Sequence, residues 1–398
     1  MNKSPLLERC LVTTAIAVSA LCAGAWRAEA DSYFQTNLVS DIAGLATITD
    51  SSLVNPWGLS HLPTSPFWTS NQGTNTATLY AVTGTTTVTK NPLTVTIPTT
   101  ASGPQGPTGQ VANTNPSAFI VGTAPARFIF ANLNGSISAW NGVGTTATVA
   151  VPATPGTVYT GLTINQAQNQ LYAVNNAGNS INVFNSSFAP VSLGASAFAT
   201  PTAISALGLV PFNARDINGN VYVTYALAGR PAQISAAQGA GAVAVFNESG
   251  ALVRTMTTPA AIAAAGLAAP WGITLAPASF GPFGNDLLVG NFSYGHSSIT
   301  ALDPITLAFL GSIMIDVGSG NTPGGLWSLD FGVGGNNGDP NTLYFTDGID
   351  GETHGLFGAI NPVPIPGALP LFASGVLGLW ALGRKRKAQT ASSAIAAA

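Results

Sequence analysis

The segment TDGIDGETHGLFG, from Thr346 onward, contains the densest group of side chains that could do chemistry. Asp350, Glu352 and His354 alternate along it, and Asp347 precedes them by three residues. Carboxylates beside a histidine can transfer protons or ligate a metal ion. Asp350, Glu352 and His354 are therefore candidate acid/base residues. The same spacing also suits a solvated loop between strands, so both interpretations stay open.

Polar residues that end predicted strands form a second candidate site. Each follows a short apolar run, and the set is Asn71, Asn132, Asn175, Tyr225, Asn291 and Asp347. If these strand ends meet at a central channel, the oxygens of Asn71, Asn175, Asn291 and Asp347 could ligate Ca²⁺, which takes six to eight oxygen ligands. The alternative is that Asn and Asp end strands because they form Asx turns. No catalytic residue is assigned, since no nucleophile motif or phosphate-binding loop is present.

Six internal repeats organise the chain that must position these residues. Each repeat has an apolar-Gly-apolar start, a turn and then two or more short β runs, as in NPWGLSHLPTSPFWTSN. The equivalent positions, spaced 51 to 59 residues apart, are Gly58, Gly109, Gly161, Asn213, Gly272 and Ser328. Repeats of about 50 residues with several strands are typical of propeller blades. A β-sandwich pair and a β-helix are the alternatives.

The predicted fold is therefore all-β: a six-bladed β-propeller over residues 31–361. The sixth repeat offers only three strands, around Trp327–Phe331, Thr342–Phe345 and Leu356–Ile360. The leader Tyr33–Asp41 has no repeat of its own. We predict that this leader supplies the missing strand and joins the two ends of the ring. A helix-like patch, residues 259–269, lies between two repeats.

Composition excludes one class of partner. Residues 31–366 hold five basic and thirteen acidic residues, a net charge of −8. Binding to a phosphate backbone needs a basic patch, and none is present. Nucleic acid is therefore not an expected partner.

The N-terminus has the features of a secretory signal peptide, predicted to span residues 1–30. Lys3 and Arg9 precede a run of apolar and small residues, and Ala28-Glu29-Ala30 gives a small-x-small cleavage site. A buried N-terminal helix is the alternative. Both cysteines, Cys10 and Cys22, lie in this segment, so the mature chain is expected to have no disulfide.

The repeats carry a resemblance. The strings NPWGLS, APWGITLAPASFGPFGNDLLVGNF and GDPNTLYFTDG, with the leader YFQTNLVSDIAGLATITD, resemble a family of uncharacterised secreted bacterial propeller-like proteins. The likeness covers roughly residues 31–361. It implies a secreted propeller and no particular activity.

The C-terminal segment 362–387 reads as a sorting signal. Prolines up to Pro366 keep its first part extended, and residues 367–383 could form an apolar helix near the short limit for crossing a membrane. A basic cluster follows, which would remain on the cytoplasmic side together with the tail 388–398: Arg384, Lys385, Arg386 and Lys387. The alternative is a plain tail anchor.

This order of proline motif, apolar helix and basic cluster resembles the PEP-CTERM signal of Gram-negative bacteria. The motif here would be Val363, Pro364, Ile365 and Pro366, with Ile365 where the usual motif has glutamate. The resemblance implies cleavage by an exosortase near this motif, after transient membrane anchoring. It also implies export to the cell surface or extracellular matrix in a system linked to exopolysaccharide.

The leading functional hypothesis is a non-enzymatic binding or structural module whose partners are polysaccharide or surface proteins. Its low charge and its many Thr, Asn and aromatic residues are compatible with sugar contact, although the shared repeat position of Trp57, Trp271 and Trp327 favours packing in the core. The alternative is a secreted metal-dependent propeller enzyme, either a lactonase-like hydrolase or a polysaccharide lyase. That alternative expects a divalent cation in the channel and a role for Asp347 or Glu352.

Overall fold

The computed structural model describes residues 32–101 and 103–363. These residues form six β-sheets arranged as the blades of a propeller, antiparallel except for one outer strand pair in the sixth, which confirms the predicted all-β, six-bladed fold. The innermost strands of neighbouring blades contact one another around the whole ring. The predicted signal peptide, the residues after Val363 and their predicted membrane helix lie outside the described residues. Within the described ranges, no helix has the length and apolar character needed to cross a membrane.

Each blade runs from an inner strand at the channel to an outer strand at the rim. Blade 1 contains β3 (Pro56–Ser60), β4 (Phe67–Asn71), β5 (Thr76–Thr83) and β6 (Thr87–Thr96). Blade 2 contains β7 (Pro107–Ala112), β10 (Phe128–Asn132), β11 (Ile137–Trp140) and β12 (Thr148–Val151), with a small ribbon of β8 (Ile120–Val121) and β9 (Ala124–Pro125). Blade 3 contains β13 (Tyr159–Ile164), β14 (Gln170–Asn175), β15 (Ser180–Asn185) and β16 (Pro190–Val191).

The second half of the ring repeats this plan. Blade 4 contains β17 (Leu209–Ile217), β18 (Asn220–Leu227), β19 (Gly241–Asn247) and β20 (Leu252–Thr255). Blade 5 contains β21 (Pro270–Leu275), β22 (Leu287–Asn291), β23 (Ser298–Leu302) and β24 (Phe309–Met314). Blade 6 has five strands: β25 (Leu326–Phe331), β26 (Leu343–Asp347), β27 (Leu356–Pro362), β1 (Tyr33–Ser40) and β2 (Ile48–Thr49).

Short helices lie only in the connections of the described chain. They are α1 (Thr202–Ser205), α2 (Arg230–Ile234), α3 (Pro259–Ala265) and α4 (Ile349–Glu352), with 3₁₀ turns at Gln72–Thr74 and Gly281–Phe283. The patch predicted to be helical between repeats is α3. Its first turn begins at a proline, Thr258 accepts a hydrogen bond from the Ala261 N–H, and Gly266 ends it in a left-handed conformation.

The leader closes the ring as predicted. Strand β1 pairs antiparallel with β27, from Tyr33 opposite Pro362 to Ser40 opposite Leu356. Leu38 and Val39 are fully buried by this pairing. Blade 6 is therefore built from both ends of the described chain.

The repeat position predicted to be equivalent in all six blades is where the inner strands come closest. A Cβ on Gly109 would lie 2.3 Å from Leu162 N, and one on Gly272 would lie 2.1 Å from Trp327 O. Glycine is needed there because the neighbouring backbone occupies the space that a side chain would take. In blade 4, Asn213 instead donates from Nδ2 to Trp271 O at 2.9 Å, and in blade 6 the Ser328 hydroxyl accepts from Leu59 N at 3.0 Å.

Large side chains one residue before this position fill the channel centre. Trp57, Phe212, Trp271 and Trp327 pack together there, and the Trp57 and Trp327 rings stack with centroids 3.5 Å apart. The three tryptophans are at most 3% exposed, so they belong to the core and present no ring to a sugar. Blades 2 and 3 have threonine at this position, and the smaller side chain of Thr160 leaves room at one end of the channel.

Candidate functional site

A pocket of about 540 Å³ occupies the end of the channel where the inner strands begin. We call it the Arg230 pocket. Its volume lies within the range of small-molecule sites. Thr160, Leu133 and Val158 from blades 2 and 3 form one side, and helix α2 of blade 4 and Glu352 of blade 6 form the other. Threonines in blades 2 and 3 stand where the other blades place large aromatic side chains, and this widens the pocket on that side.

Arg230 lies over the aromatic plug at the edge of this pocket. It begins helix α2, directly after Gly229, which has a φ of 85°. Its guanidinium carbon is 4.0 Å from the centroid of the Phe292 ring, 5.1 Å from that of Trp327 and 5.4 Å from that of Trp57. A guanidinium at this distance is attracted by the faces of aromatic rings. The aromatic plug, formed by Trp57, Phe212, Trp271, Phe292 and Trp327, therefore closes the channel and also fixes the position of the Arg230 guanidinium.

Glu352 is the anion that pairs with Arg230. Its carboxylate forms an ion pair with Arg230 Nη2 and accepts hydrogen bonds from Asn55 Nδ2 at 3.0 Å and from the Tyr294 hydroxyl at 2.9 Å. Burial and the nearby Glu352 carboxylate raise the pKa of Tyr294, so this phenol remains a donor. With three donors around it, Glu352 is held as a fixed anion rather than presented as a base.

Asn55 joins the pocket wall to the aromatic plug. Its side chain accepts from Trp327 Nε1 at 2.9 Å and donates to Gln72 Oε1 at 2.7 Å as well as to Glu352. Its φ of 46° is left-handed, which asparagine tolerates better than most residues. The network of Arg230, Glu352, Asn55, Gln72 and Tyr294 therefore connects blades 1, 4, 5 and 6.

Asp347 lies behind this network, at the end of β26, and it is fully buried. Neither carboxyl oxygen has a hydrogen-bond partner among the described residues. Burial, with a smaller contribution from Glu352, raises the pKa of Asp347 well above its usual range. Burial therefore keeps this carboxyl protonated at pH values where an exposed aspartate is ionised.

The other blades show what Asp347 lacks. At the same position, Asn71 donates to the hydroxyls of Thr76 and Thr78, and Asn291 donates to those of Ser298 and Thr300. In blade 6 the residues at the two corresponding register positions are Leu356 and Gly358, which carry no hydroxyl. Asp347 therefore occupies a repeat position from which both partners have been removed.

The three candidate acid/base residues are separated by the structure. Glu352 faces the Arg230 pocket, whereas Asp350 accepts from Thr322 N at 2.5 Å. His354 Nδ1 lies 2.7 Å from Asp41 Oδ2, within hydrogen-bond distance and next to β1. The backbone explains the separation, because Asp350 and Glu352 both have positive φ values, 52° and 67°, which turn successive side chains in different directions. The alternative of a solvated loop fails for Asp347 and Glu352, which are buried or nearly so.

The candidate calcium ligands take part mainly in hydrogen bonds within their own blades. Asn71 and Asn291 bond hydroxyls of the next strand, and Asn175 Oδ1 accepts from Val158 N and Gly178 N. In the described ranges, no three His, Cys, Asp or Glu side chains lie close enough together to hold a metal ion. Of these three asparagines, only Asn175, which accepts from Gly178 N, bonds its own turn, whereas Asn71 and Asn291 bond across the blade, and a calcium site stays an untested prediction.

The sorting residues can be placed only in part. Val363 is the last described residue and its side chain is exposed. Pro364, Ile365 and Pro366 lie outside the described residues, as does the basic cluster from Arg384 to Lys387. Their predicted roles stay predictions.

A second cavity, of about 480 Å³, lies at the opposite end of the channel, where all six inner strands finish. Arg215 crosses it from blade 4 to blade 6, donating to Leu329 O and Asp330 Oδ1, both at 2.6 Å. His61 of blade 1 lies 3.7 Å from Asp330. His61, Arg215 and Asp330 therefore form a polar cluster shared by blades 1, 4 and 6.

Asp216 lies on the wall of this second cavity. Burial, together with the neighbouring Glu248 carboxyl, raises the pKa of Asp216 to about 6. The two carboxyls thus form a pair in which Asp216 keeps its proton under mildly acidic conditions.

Sequence reasoning missed Arg230, Asn55, Gln72 and Tyr294. Arg230 stands in the connection between β18 and β19, and the others lie in connections of blades 1 and 5. The available signal was compositional, because Arg230 is one of only five basic residues between positions 31 and 366. A basic residue that is this rare, next to Gly229 and Pro231, could have been identified from the sequence as a candidate functional residue.

Comparisons with known proteins concern the fold. No family model matches the chain, and no curated protein sequence matches it. Among solved structures, a structural genomics protein of unknown function from Bacteroides thetaiotaomicron VPI-5482 is 10% identical, with 83% of this chain and 76% of that chain covered and a TM-score of 0.50. Streptogramin B lyase is 12% identical over 84% and 100% of the two chains, with a TM-score of 0.49. Kuenenia stuttgartiensis hydrazine synthase is 12% identical over 76% of each chain, with a TM-score of 0.46. At these identities the likeness extends to fold alone.

Proposed function

We propose that the protein is an exported binding propeller that holds one or two sugar units of an extracellular polysaccharide in the Arg230 pocket. The observation that carries this proposal is the pocket itself: about 540 Å³, at a channel mouth, bordered by a charge pair that other side chains hold in place. Small-molecule pockets have volumes of about 300–1,000 Å³, so a pocket of this volume suits a ligand of one or two sugar units. Amide side chains at the border, including Gln72, Asn176 and Gln233, suit hydroxyl-rich ligands.

The state of Glu352 favours binding over catalysis. A general base needs a free lone pair within reach of a substrate proton. Glu352 instead accepts from Arg230, Asn55 and Tyr294, and His354 is paired with Asp41 away from the pocket. Glu352 and His354, two of the candidate acid/base residues, therefore do not meet in this pocket.

Export and sorting form the second part of the proposal. The supporting features are the N-terminal segment 1–30 and the C-terminal order of proline motif, apolar stretch and basic cluster. In this proposal an exosortase cleaves near Val363–Pro366 and the propeller then reaches the cell surface or the matrix. Intact-mass measurement of the protein from its native host should give a chain that begins near residue 31 and ends near residue 366. A chain that retains residues 384–398 would contradict the sorting step.

A glycan array tests the binding step. The protein exported and processed by its host should retain a subset of polysaccharide fragments, and Arg230→Ala should weaken that retention by tenfold or more. Arg127→Ala is the matched control, because Arg127 is exposed in blade 2 and does not border the pocket.

Arg230→Lys guards against a folding artefact, since it keeps the charge but loses the planar guanidinium. We expect Arg230→Lys to melt like the wild type and to bind more weakly. Unchanged retention in both Arg230 variants would refute the assignment of the pocket. Shortened glycan products, detected by mass spectrometry, would refute the non-enzymatic role.

A further inference from the structure

Two buried hydrogen-bond donors on residues that line the Arg230 pocket have no partner among the described residues. They are Trp57 Nε1 and Arg230 Nη1. Both residues border the pocket, and the Arg230 guanidinium lies over the Trp57 ring. Trp57 is 3% exposed, and both donor atoms are shielded from solvent, although the Arg230 side chain as a whole is 32% exposed where it borders the pocket. Buried donors of this kind are normally satisfied, so the pair indicates a ligand that brings an acceptor.

The number of donors suggests the type of acceptor. One carbonyl oxygen has two lone pairs and can accept from two donors at once. A hydroxyl would accept from both only by directing its own hydrogen elsewhere. A carbonyl or carboxylate oxygen therefore matches the two donors best.

Local charge separates these two acceptors. The Arg230 cation is already paired with the Glu352 anion, and burial raises the pKa of the Asp347 carboxyl behind them. An incoming carboxylate would be attracted by Arg230 and repelled by Glu352, and it would also lose its hydration. A neutral carbonyl loses far less hydration and meets no repulsion.

The remaining surface of the pocket suits a small apolar group beside that carbonyl. Partly exposed apolar side chains border it, namely Leu133, Val158, Val210 and Ala228. A methyl group placed there would be removed from water.

Resting on the proposed sugar-binding function, we infer that the Arg230 pocket selects a neutral acetamido group, as found on N-acetylated amino sugars. The acetamido carbonyl accepts from Trp57 and Arg230, and its methyl group packs against the apolar border.

Three sugars that differ at one substituent test this inference: N-acetylglucosamine, glucose and glucuronate. Calorimetric titration of the processed protein should show N-acetylglucosamine binding at least fivefold more tightly than either of the others, as expected for one additional hydrogen bond to each donor. Trp57→Phe keeps an aromatic ring, though a smaller one than indole, and removes the N–H, so it should bring N-acetylglucosamine close to the glucose level. Trp140→Phe is the matched control, because Trp140 Nε1 already donates to Gly144 O at 3.0 Å in blade 2.

Each outcome bears on a different claim. Tightest binding by glucuronate, or equal binding by glucose, in the wild-type protein overturns the acetamido inference without the need for any variant. A preference that survives Trp57→Phe also overturns it. If the glycan array retains polysaccharides but none through an acetamido group, the sugar-binding function stands and the inference fails. If no glycan is retained at all, both fail.

Discussion

Replacing Asp347 with asparagine measures how much a buried carboxyl without hydrogen-bond partners lowers the free energy of unfolding. Asparagine is nearly the same size, and the chain itself uses it at this position in blades 1, 2, 3 and 5. The variant cannot ionise. At low pH, where the wild-type carboxyl is neutral in both folded and unfolded chains, the two proteins should differ little in their free energy of unfolding.

The difference should grow as pH rises. An unfolded aspartate ionises with a pKa near 3.9, whereas burial keeps the folded Asp347 protonated well above that pH. The folded wild type then binds more protons than the unfolded chain, so its stability falls by about 1.4 kcal/mol for each pH unit above roughly 4. The fall stops at the pH where the folded carboxyl itself ionises. Asp347→Asn should escape this loss and become the more stable protein at neutral pH.

Urea unfolding of both proteins at intervals between pH 4 and pH 8 measures this difference. Asp303→Asn is a control of opposite sign, since backbone hydrogen bonds from Thr306 and Ile305 lower the pKa of this exposed carboxyl. Its contribution to stability is present above pH 4 and is lost in acid, so Asp303→Asn should lose stability relative to the wild type as pH rises through that region. Parallel pH profiles for the wild type and Asp347→Asn would refute the claim that Asp347 is buried without a partner.

Two further variants test the ring. Gly109→Ala should lower the free energy of unfolding by about 3 kcal/mol, because its Cβ would overlap Leu162 N. Gly295→Ala is the control, since the space around Gly295 is open, and it should change the free energy of unfolding by less than about 1 kcal/mol. Equal effects of the two substitutions in urea unfolding would contradict the close approach of the inner strands. Leu38→Ala should lower the free energy of unfolding by about 2–5 kcal/mol, because Leu38 is buried where β1 pairs with β27. Phe34→Ala is the control, since Phe34 is largely exposed, and it should lower the free energy of unfolding by less than about 0.5 kcal/mol. A Leu38→Ala protein that unfolds like the wild type would mean that the leader does not stabilise the closed ring.

The ring could be predicted because its signals are local and repeated. Gly58, Gly109, Gly161 and Gly272 mark a close approach that recurs in successive blades, and a repeated constraint is visible in a single sequence. The leader was predictable for a complementary reason, since the sixth repeat lacked a strand and the leader lacked a repeat.

The pocket could not be predicted because its residues come from irregular connections. Arg230 and Glu352 belong to different blades, and only the closed ring brings them together. Conversely, Asp350 and His354 are close in sequence but bond to different parts of the protein, because two left-handed residues redirect the chain. One signal was available and unused: the sixth repeat replaces an asparagine with Asp347 and removes the hydroxyl residues that accompany it elsewhere.

The pairing of β1 with β27 also determines how the ring responds to force. Tyr33 lies opposite Pro362, so the two ends of the described chain leave blade 6 side by side. Tension between these ends would load the antiparallel pair from its open end and break its hydrogen bonds one after another, as in opening a zipper. The same number of bonds loaded lengthwise would have to break together. A pull on both ends would therefore open the propeller at blade 6 while the other five blades keep their own sheets.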